Sequence, residues 1–313
     1  MGSTHKKNLR IDCSHFFEGG KIMIHKDRNI IYEPTGPARE YAALACNIYK
    51  GCQHACRYCY GKRRLSPSGK ADYDSNPNPK LHFLEKLKYK AEELFSEKAL
   101  AGLNNDIDNW RRGKDGEILL SFLGDVYQPA EMELMLTRGA LEILIENELP
   151  FTILTKGGSR ACRDFDLLEQ GNARFGTTLI FMDQKKADYW EPGAASIKDR
   201  IEAIREAHER NIVTWVSLEP VIDPAEAMRV VYELHTIVDH WKIGKINHTP
   251  EIEHCHNWIA FREEISFFLD DIEADYILKK SLTEHARDSL ISEHRRPWPV
   301  SRALILQRES EGS

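Results

Sequence analysis

Short apolar runs alternating with segments of helical period constrain the fold of this chain more than any other feature. The runs are ILLSFL from Ile118, FTILT from Phe151, TTLIF from Thr177, TWVSL from Thr214 and HWKIG from His240. Each is rich in β-branched or aromatic residues and short enough to be a strand buried on both faces. Between them, Met132, Met135, Leu136 and Leu144 mark one helix face, Ile197, Ile201, Ile204 and His208 a second, and Met228, Val231 and His235 a shorter third. An earlier helix carries Leu84, Leu87, Ala91, Leu94 and Phe95 after the loop DSNPNP. Pro150 and Gly157-Gly158 flank one run, and Pro220 and Pro224 follow another, as breakers should. This alternation predicts parallel strands with right-handed crossovers. A strand near Ala42–Ile48 brings the number of β/α units to about six, which suits an open barrel better than a closed eight-stranded one. The expected fold class is α/β, a partial (β/α)6 TIM-like barrel with functional groups at the carboxyl ends of its strands.

The two ends read differently. Residues 20–33, GKIMIHKDRNIIYE, have the pattern of a β-hairpin turning near Asp27-Arg28. The tail carries an amphipathic helix with Trp258, Phe261, Ile265, Phe268 and Leu269 on one face, then runs through EADYILKK to the basic HRRPWPVSR. The expected organisation is an N-terminal extension with a β-hairpin over 1–40, the barrel over 41–250 and a C-terminal helical cap over 251–313. With 43 Lys+Arg against 49 Asp+Glu and 42% hydrophobic residues, the chain is too apolar for disorder, and its net charge of -6 argues against a wholesale nucleic-acid coat. No apolar run approaches the ~20 residues that span a bilayer. The first residues lack the apolar stretch of a signal peptide, so the expectation is a cytoplasmic protein with no membrane partner.

Seven cysteines in such a setting do not read as a disulfide framework. Cys13, Cys46, Cys162 and Cys255 are scattered, whereas Cys52, Cys56 and Cys59 are clustered in GCQHACRYCYG. The spacing C-x3-C-x2-C lets one tight loop point three sulfurs at a common centre. Three thiolates suit a [4Fe–4S] cluster with one iron free of protein ligands, and such an iron can hold a substrate or cofactor. Zinc is the rival, taking the three thiolates with His54 or Cys46 as a fourth ligand. Zinc sites more often use two separated pairs, and no second Cys/His pair stands at a suitable distance.

With the aromatic Tyr58 before Cys59, the motif resembles the signature of radical S-adenosylmethionine enzymes. Within that superfamily, GCQHACRYCYG, SFLGDVYQPAE, ILTKGGSRACRDFDLL, YWEPGAASIKDRIEAI and WKIGKIN resemble the spore photoproduct lyase and DNA repair photolyase-like branch. The likeness runs from about Ala42 to Asn247. It implies a [4Fe–4S] cluster on Cys52, Cys56 and Cys59 at the mouth of a partial barrel. It also implies S-adenosylmethionine on the open iron, cleaved by one electron to a 5′-deoxyadenosyl radical that abstracts a substrate hydrogen. A flavodoxin- or ferredoxin-like electron donor is implied as a partner.

The resemblance further places cofactor-holding groups at strand ends. Ser121, Gly124 and Asp125 fall where the amino end of the cofactor is held, and Asp125 reads equally as a helix-start cap. Thr155 and Lys156 fall where a lysine meets the cofactor carboxylate, against the plain alternative of a solvated lysine. Thr177 and Thr178 align with a hydroxyl that helps that lysine, or serve as β-formers in a core strand. Glu219 ends a strand facing the mouth, and Arg200 either pairs with Glu191 or meets the cofactor. Tyr58 and Tyr60 read as radical relays or as packing over the cluster. Spore photoproduct lyase has a hydrogen-donating cysteine near the end of its second strand, where this chain has Ser121-Phe122-Leu123-Gly124-Asp125, so thymine-dimer repair by that same route is in doubt. Cys162 is a substitute donor or, more simply, a helix-interior residue.

The substrate implied is a nucleic-acid base, with a peptide, tRNA or small metabolite as the alternative and a non-catalytic iron–sulfur or zinc module as a second. Lys62-Arg63-Arg64 with Lys70, and Arg295-Arg296 with Trp298, offer charge and stacking surface for nucleic acid, or are solvated loops. His254, Cys255 and His256 cannot all point one way and read as a polar loop.

Overall fold

One sheet carries the described fold, and its strand order follows the chain. Its strands are β1 (Ile31–Tyr32), β2 (Leu44–Cys46), β3 (Ile118–Leu120), β4 (Phe151–Thr155), β5 (Arg174–Thr178), β6 (Thr214–Val221), β7 (His240–Lys245) and β8 (Asp275–Leu278). The computed structural model describes residues 30–65, 73–103 and 117–283. Most of the hairpin expected over 20–33, together with Cys13, Lys70 and the Arg295-Arg296-Trp298 tail, lies outside the described residues. β1 pairs antiparallel with β2, and every later neighbour is parallel. Helices cross between most of the parallel strands, so the α/β alternation in the sequence becomes an open, barrel-like sheet.

The tail adds to the sheet. Trp258–Asp271 is a helix buried through Trp258, Phe261, Ile265 and Leu269, and it leads into β8, which pairs with β7. The segment expected only as a helical cap therefore continues the β/α pattern. The apolar run from Thr177 proves to be strand only at its start: β5 is Arg174–Thr178, while Leu179, Ile180 and Phe181 are buried beyond it. Hydrophobicity there reports burial at the strand's end rather than the strand itself. Met132 and Met135 do not join the expected helix face. Met135 sits at φ 52°, ending one short helix and starting Leu136–Glu146, whose buried face is Thr137, Ala140, Leu141 and Leu144.

The two faces of the sheet differ in chemistry. Cys46, Leu120, Ile153, Phe175, Val216, Leu218 and Ile243 belong to the apolar core shared with the helices. By strand alternation the other face carries Thr152, Arg174, Trp215, Ser217, Glu219, His240 and Lys242. Trp215 Nε1 donates to Thr152 Oγ1 at 3.0 Å. Its register partner is Gly176, where a Cβ would lie 2.1 Å from the indole Cε2, so glycine is what admits the tryptophan. Arg174 pairs with Glu117.

This polar interior makes stability depend on pH. The His240 Nδ1 lies 2.9 Å from Asp275 Oδ2, yet burial, helped by Lys242 and Arg174, holds the imidazole down at about 4 against an ordinary 6.5. The unfolded chain thus binds the proton more readily than the folded one between pH 6.5 and about 4. Stability contributed by neutral His240 is full above that window and falls as pH drops through it, by roughly 3 kcal/mol at about 1.36 kcal/mol per pH unit. Urea titrations between pH 7 and 4 should show this slope, and His240→Gln should flatten it.

Candidate functional site

The three clustered cysteines lie on the loop that leaves the carboxyl end of β2, and neighbouring strands' loops hold that loop in place. The Gln53 N–H donates to Gln128 Oε1 at 3.0 Å, and Gln53 Oε1 accepts from the Ala130 N–H at 2.7 Å. The Cys52 N–H donates to the Tyr73 carbonyl at 2.7 Å, and the Arg57 N–H to the Trp190 carbonyl at 2.9 Å. Asn47 Oδ1 accepts from both Phe122 and Leu123 N–H groups at 2.9 Å. The loop is therefore tied to the segments after β3 and β5 through its backbone, which leaves the sulfurs for other work. Cys52 Sγ accepts from the Asp125 N–H at 3.4 Å, and Cys59 Sγ lies 3.6 Å from the Tyr73 hydroxyl. Burial raises the Cys52 thiol above its ordinary range and pushes Cys56 up to about 12.

Neither residue weighed as a fourth zinc ligand is offered to these thiols. His54 is buried, with Nε2 3.1 Å from Arg160 Nη2 and Nδ1 3.3 Å from Asp125 Oδ2. A guanidinium only donates, so Nε2 is the acceptor and the ring proton sits on Nδ1, toward Asp125. Cys46 lies in β2 within the core against the helices. Among the described residues, no group of three or more His, Cys, Asp or Glu side chains is gathered for a single metal ion. A cubane distributes its thiolates over separate irons, so it makes no such demand.

Gly124 turns the chain after β3 at φ +69°, and a Cβ there would lie 2.6 Å from the Gly51 carbonyl oxygen. Ser121 Oγ donates to the Gly124 carbonyl within the same turn. Asp125 is not the expected helix cap: the next helix starts at Glu131 with Ala130 before it, and Asp125 instead closes a turn and ties strand ends together. Its Oδ1 accepts from Tyr127 N–H at 2.8 Å and Thr155 Oγ1 at 2.5 Å, and its Oδ2 accepts from Lys156 N–H at 2.7 Å. Burial works against the carboxylate, but His54, the Thr155 hydroxyl and the Lys156 N–H outweigh it and hold Asp125 well below the usual range. Thr155 is thereby occupied, accepting also from Gly157 N–H at 2.8 Å. Thr177 donates to the Thr155 carbonyl at 2.8 Å and shares the sheet face of Val216. These three groups, through their hydrogen bonds, fix the strand end that presents Lys156.

Lys156 is partly exposed, with Nζ 5.7 Å from the centroid of the Tyr58 ring. Burial disfavours its charge, but Cys56, Glu191 and Asp125 more than compensate and raise its pKa above the ordinary lysine value. The Tyr58 hydroxyl donates to Glu191, which pairs with Arg200 at 2.7 Å. Arg200 also donates to the Ala195 and Thr178 carbonyls at 2.9 Å each. Its role is the buried pair with Glu191. Thr178 lies on the interior face, in register with Ser217.

Glu219, near the end of β6, is bound to Lys279 Nζ at 2.7 and 3.0 Å and accepts from the Tyr41 hydroxyl. Neither Tyr41 nor Lys279 carries a sequence signal for this role, because their partners are 178 and 60 residues away. Tyr60 is 47% exposed and donates to the Phe122 carbonyl at 3.2 Å. Cys162 packs against the core, pushed up to about 12 by burial and Glu206, as a helix-interior thiol would be. Cys255 Sγ donates to the Glu251 carbonyl at 2.7 Å, and the His256 ring meets Trp258 edge-on at 5.4 Å, so 254–256 is a loop. Lys62 pairs with Asp74, and Arg63 contacts the Tyr58 carbonyl at 3.5 Å.

No family model matches the chain. It is 26% identical over 192 residues to an uncharacterized protein of Methanocaldococcus jannaschii, covering 61% of this chain and 65% of that protein. The structure of Streptococcus suis SuiB bound to S-adenosylmethionine matches with a TM-score of 0.51 at 11% identity, over 79% of this chain and 52% of that one. SuiB bound to its precursor peptide SuiA matches with a TM-score of 0.50 at 12% identity, over 79% and 52%. A spore photoproduct lyase double mutant with bound AdoMet and dinucleoside spore photoproduct matches with a TM-score of 0.52 at 16% identity, over 71% and 62%. The chain spans between about half and two thirds of the length of these proteins. The fold it shares is that of SuiB and of spore photoproduct lyase, each solved with S-adenosylmethionine bound.

Proposed function

We propose that this chain is a radical S-adenosylmethionine enzyme whose Cys52, Cys56 and Cys59 hold a [4Fe–4S] cluster. The observation that carries the reading is the cysteine loop, fastened by backbone contacts at the carboxyl end of parallel strands with Lys156 and Asp125 behind it. The donor set fits the group: three thiols, the neighbouring His54 engaged by Arg160 and Asp125 instead, and a backbone N–H already donating to one sulfur. When bound, the cluster supplies one electron for cleaving the sulfonium of S-adenosylmethionine.

The residues around it take distinct roles. Lys156, kept cationic by its neighbours, is suited to the cofactor's carboxylate. Gly124 and Ser121 shape the turn beside the cofactor's amino end, and Asp125, Thr155 and Thr177 hold the strand end in place. Thr178 and Glu219 face the interior, where a substrate would meet the cofactor. Phe181, Trp190, Ile222 and Ile252 line a cleft of about 340 Å³ that offers apolar walls to a nucleoside. Tyr58, bonded to Glu191, shields the loop from water. A flavodoxin- or ferredoxin-like protein is the electron donor expected.

A nucleic-acid base is the substrate class best supported. Arg57 stacks 4.1 Å over the ring of Tyr189, which is 55% exposed, beside the cysteine loop and the exposed Tyr60. Paired cations and exposed rings of this kind suit phosphates and unstacked bases. The net charge of -6 favours a peptide or metabolite instead, and the two are separated by the salt dependence of oligonucleotide binding.

The test is anaerobic reconstitution with iron and sulfide, reduction, addition of S-adenosylmethionine and measurement of 5′-deoxyadenosine. Zinc at one per chain without labile sulfide defeats the proposal. Lys156→Met should weaken S-adenosylmethionine binding, measured by calorimetry on the loaded protein, by about tenfold to a hundredfold, the 1.5–3 kcal/mol typical of a hydrogen bond to a charged group. Its iron content should stay unchanged.

A further inference from the structure

The barrel interior contains a phenol set up for one-electron chemistry. Tyr41 reaches the interior face from the segment before β2, donates to Glu219 and lies 2.8 Å from Ser217 Oγ. Its ring meets Phe122 edge-on at 5.9 Å and Trp215 at 6.3 Å. Lys279 Nζ, which also binds Glu219, lies 4.2 Å from the ring centroid, and Lys242 Nζ, whose charge burial and the neighbouring Arg174 and Lys279 disfavour, lies 5.0 Å from it. Lys242 is held there by donating to Tyr41's own carbonyl at 2.6 Å. A cation against a ring opposes positive charge on it, so with Lys279 in place an electron leaves this phenol only together with its proton. A carboxylate already hydrogen-bonded to the hydroxyl orients that proton. Burial and Glu219 raise the phenol's pKa well above the ordinary value, so the O–H is intact at any physiological pH.

Tyr58 and Tyr60 are placed differently. Tyr58 is bonded to Glu191 beneath Lys156, and Tyr60 lies on the exposed rim. Tyr41 is partly exposed and stands among the interior residues near the strand ends, where a substrate would sit.

We propose that Tyr41 is the hydrogen-atom donor of the barrel interior, giving its phenolic hydrogen to a carbon-centred substrate radical while Glu219 orients the O–H. This rests on the radical reading above. The O–H bond breaks and a C–H bond forms; the substrate radical is reduced by one electron and Tyr41 is oxidised by one to a neutral phenoxyl. One electron from the low-potential donor and one proton delivered through Glu219 restore the phenol.

The test uses the full chain in two states. In the unloaded protein, photo-oxidation by a ruthenium tris-bipyridine sensitiser and persulfate should give a tyrosyl EPR signal with a component that Tyr41→Phe removes. In the reconstituted protein, turnover in D2O with dithionite and S-adenosylmethionine but no added substrate leaves the 5′-deoxyadenosyl carbon radical to take the phenolic deuterium in the substrate radical's place, and should release 5′-deoxyadenosine carrying one deuterium. Tyr41→Phe should cut that deuterium several-fold with iron content unchanged, and Glu219→Gln should lower it while retaining the tyrosine. Equal deuterium and an equal tyrosyl signal in Tyr41→Phe overturn the assignment. No 5′-deoxyadenosine from a correctly loaded wild type overturns the radical reading, and the donor role with it.

Discussion

Alanine in place of any one of Cys52, Cys56 or Cys59 should leave a folded protein that neither retains a [4Fe–4S] cluster nor forms 5′-deoxyadenosine. A three-cysteine site has no spare ligand, and the nearest alternatives are committed elsewhere. His54 is engaged by Arg160 and Asp125, and Cys46 is buried in the sheet core. Because losing a group that merely orients a ligand costs a metal site roughly 10–100-fold, losing a ligand itself should reduce activity by at least on the order of 100-fold. Iron and sulfide analysis, the visible absorbance of the reconstituted protein and 5′-deoxyadenosine yield read the three consequences separately. Cys46→Ala and Cys162→Ala are the controls and should keep their iron. A variant at Cys52 with normal iron and sulfide would show that another residue closes the site.

The fold should survive these changes because the loop is held by its backbone and by amide side chains, not by its sulfurs. Gln53 and Gln128 clasp each other's segments, and the Gly193 N–H donates to the His54 carbonyl at 2.9 Å. Apo and loaded forms should therefore share their far-ultraviolet circular dichroism.

What could be read in the sequence follows from the range of the forces involved. The alternation of apolar runs with helical periods is local, so β3, β4, β6 and β7 are anticipated close to where they form. β8 is missed because DYIL is brief and half-polar, and only its pairing with β7 makes it a strand. Met135 breaks its helix with a left-handed residue that no propensity signals. Cys52, Cys56 and Cys59 stand out because the cluster chemistry proposed for them needs a spacing within a single loop. The groups around them do not. Asp125, Thr155 and Thr177 lie where a resemblance puts cofactor contacts, yet their hydrogen bonds go to one another and to backbone, which only the packed strand ends determine. Tyr41 meets Glu219, and His54 meets Arg160 from 106 residues away, pairings that depend on closing the sheet into a curved wall.

Glu191→Gln should be the most destabilising single change near the site. Glu191 and Arg200 are 2.7 Å apart, with each side chain 1% exposed, and Glu191 also accepts from Tyr58. Removing the carboxylate leaves the guanidinium buried with only the carbonyls of Ala195 and Thr178, an uncompensated charge that costs about 3–5 kcal/mol. Replacing both partners with apolar residues, as in Glu191→Leu with Arg200→Met, removes the stranded charge, so the double variant should lose much less than the sum of the single ones. Urea unfolding of the four proteins gives the coupling directly. The pair also predicts acid behaviour: burial opposes the carboxylate, but Arg200 and Lys156 prevail and hold Glu191 below its ordinary 4.5. Its stabilisation is present above pH 4.5 and is lost as pH falls through the lowered value in the folded protein, a loss that Glu191→Gln should abolish. Strict additivity of the two single variants would mean that the pair is not coupled and that the buried guanidinium is satisfied by the Ala195 and Thr178 carbonyls.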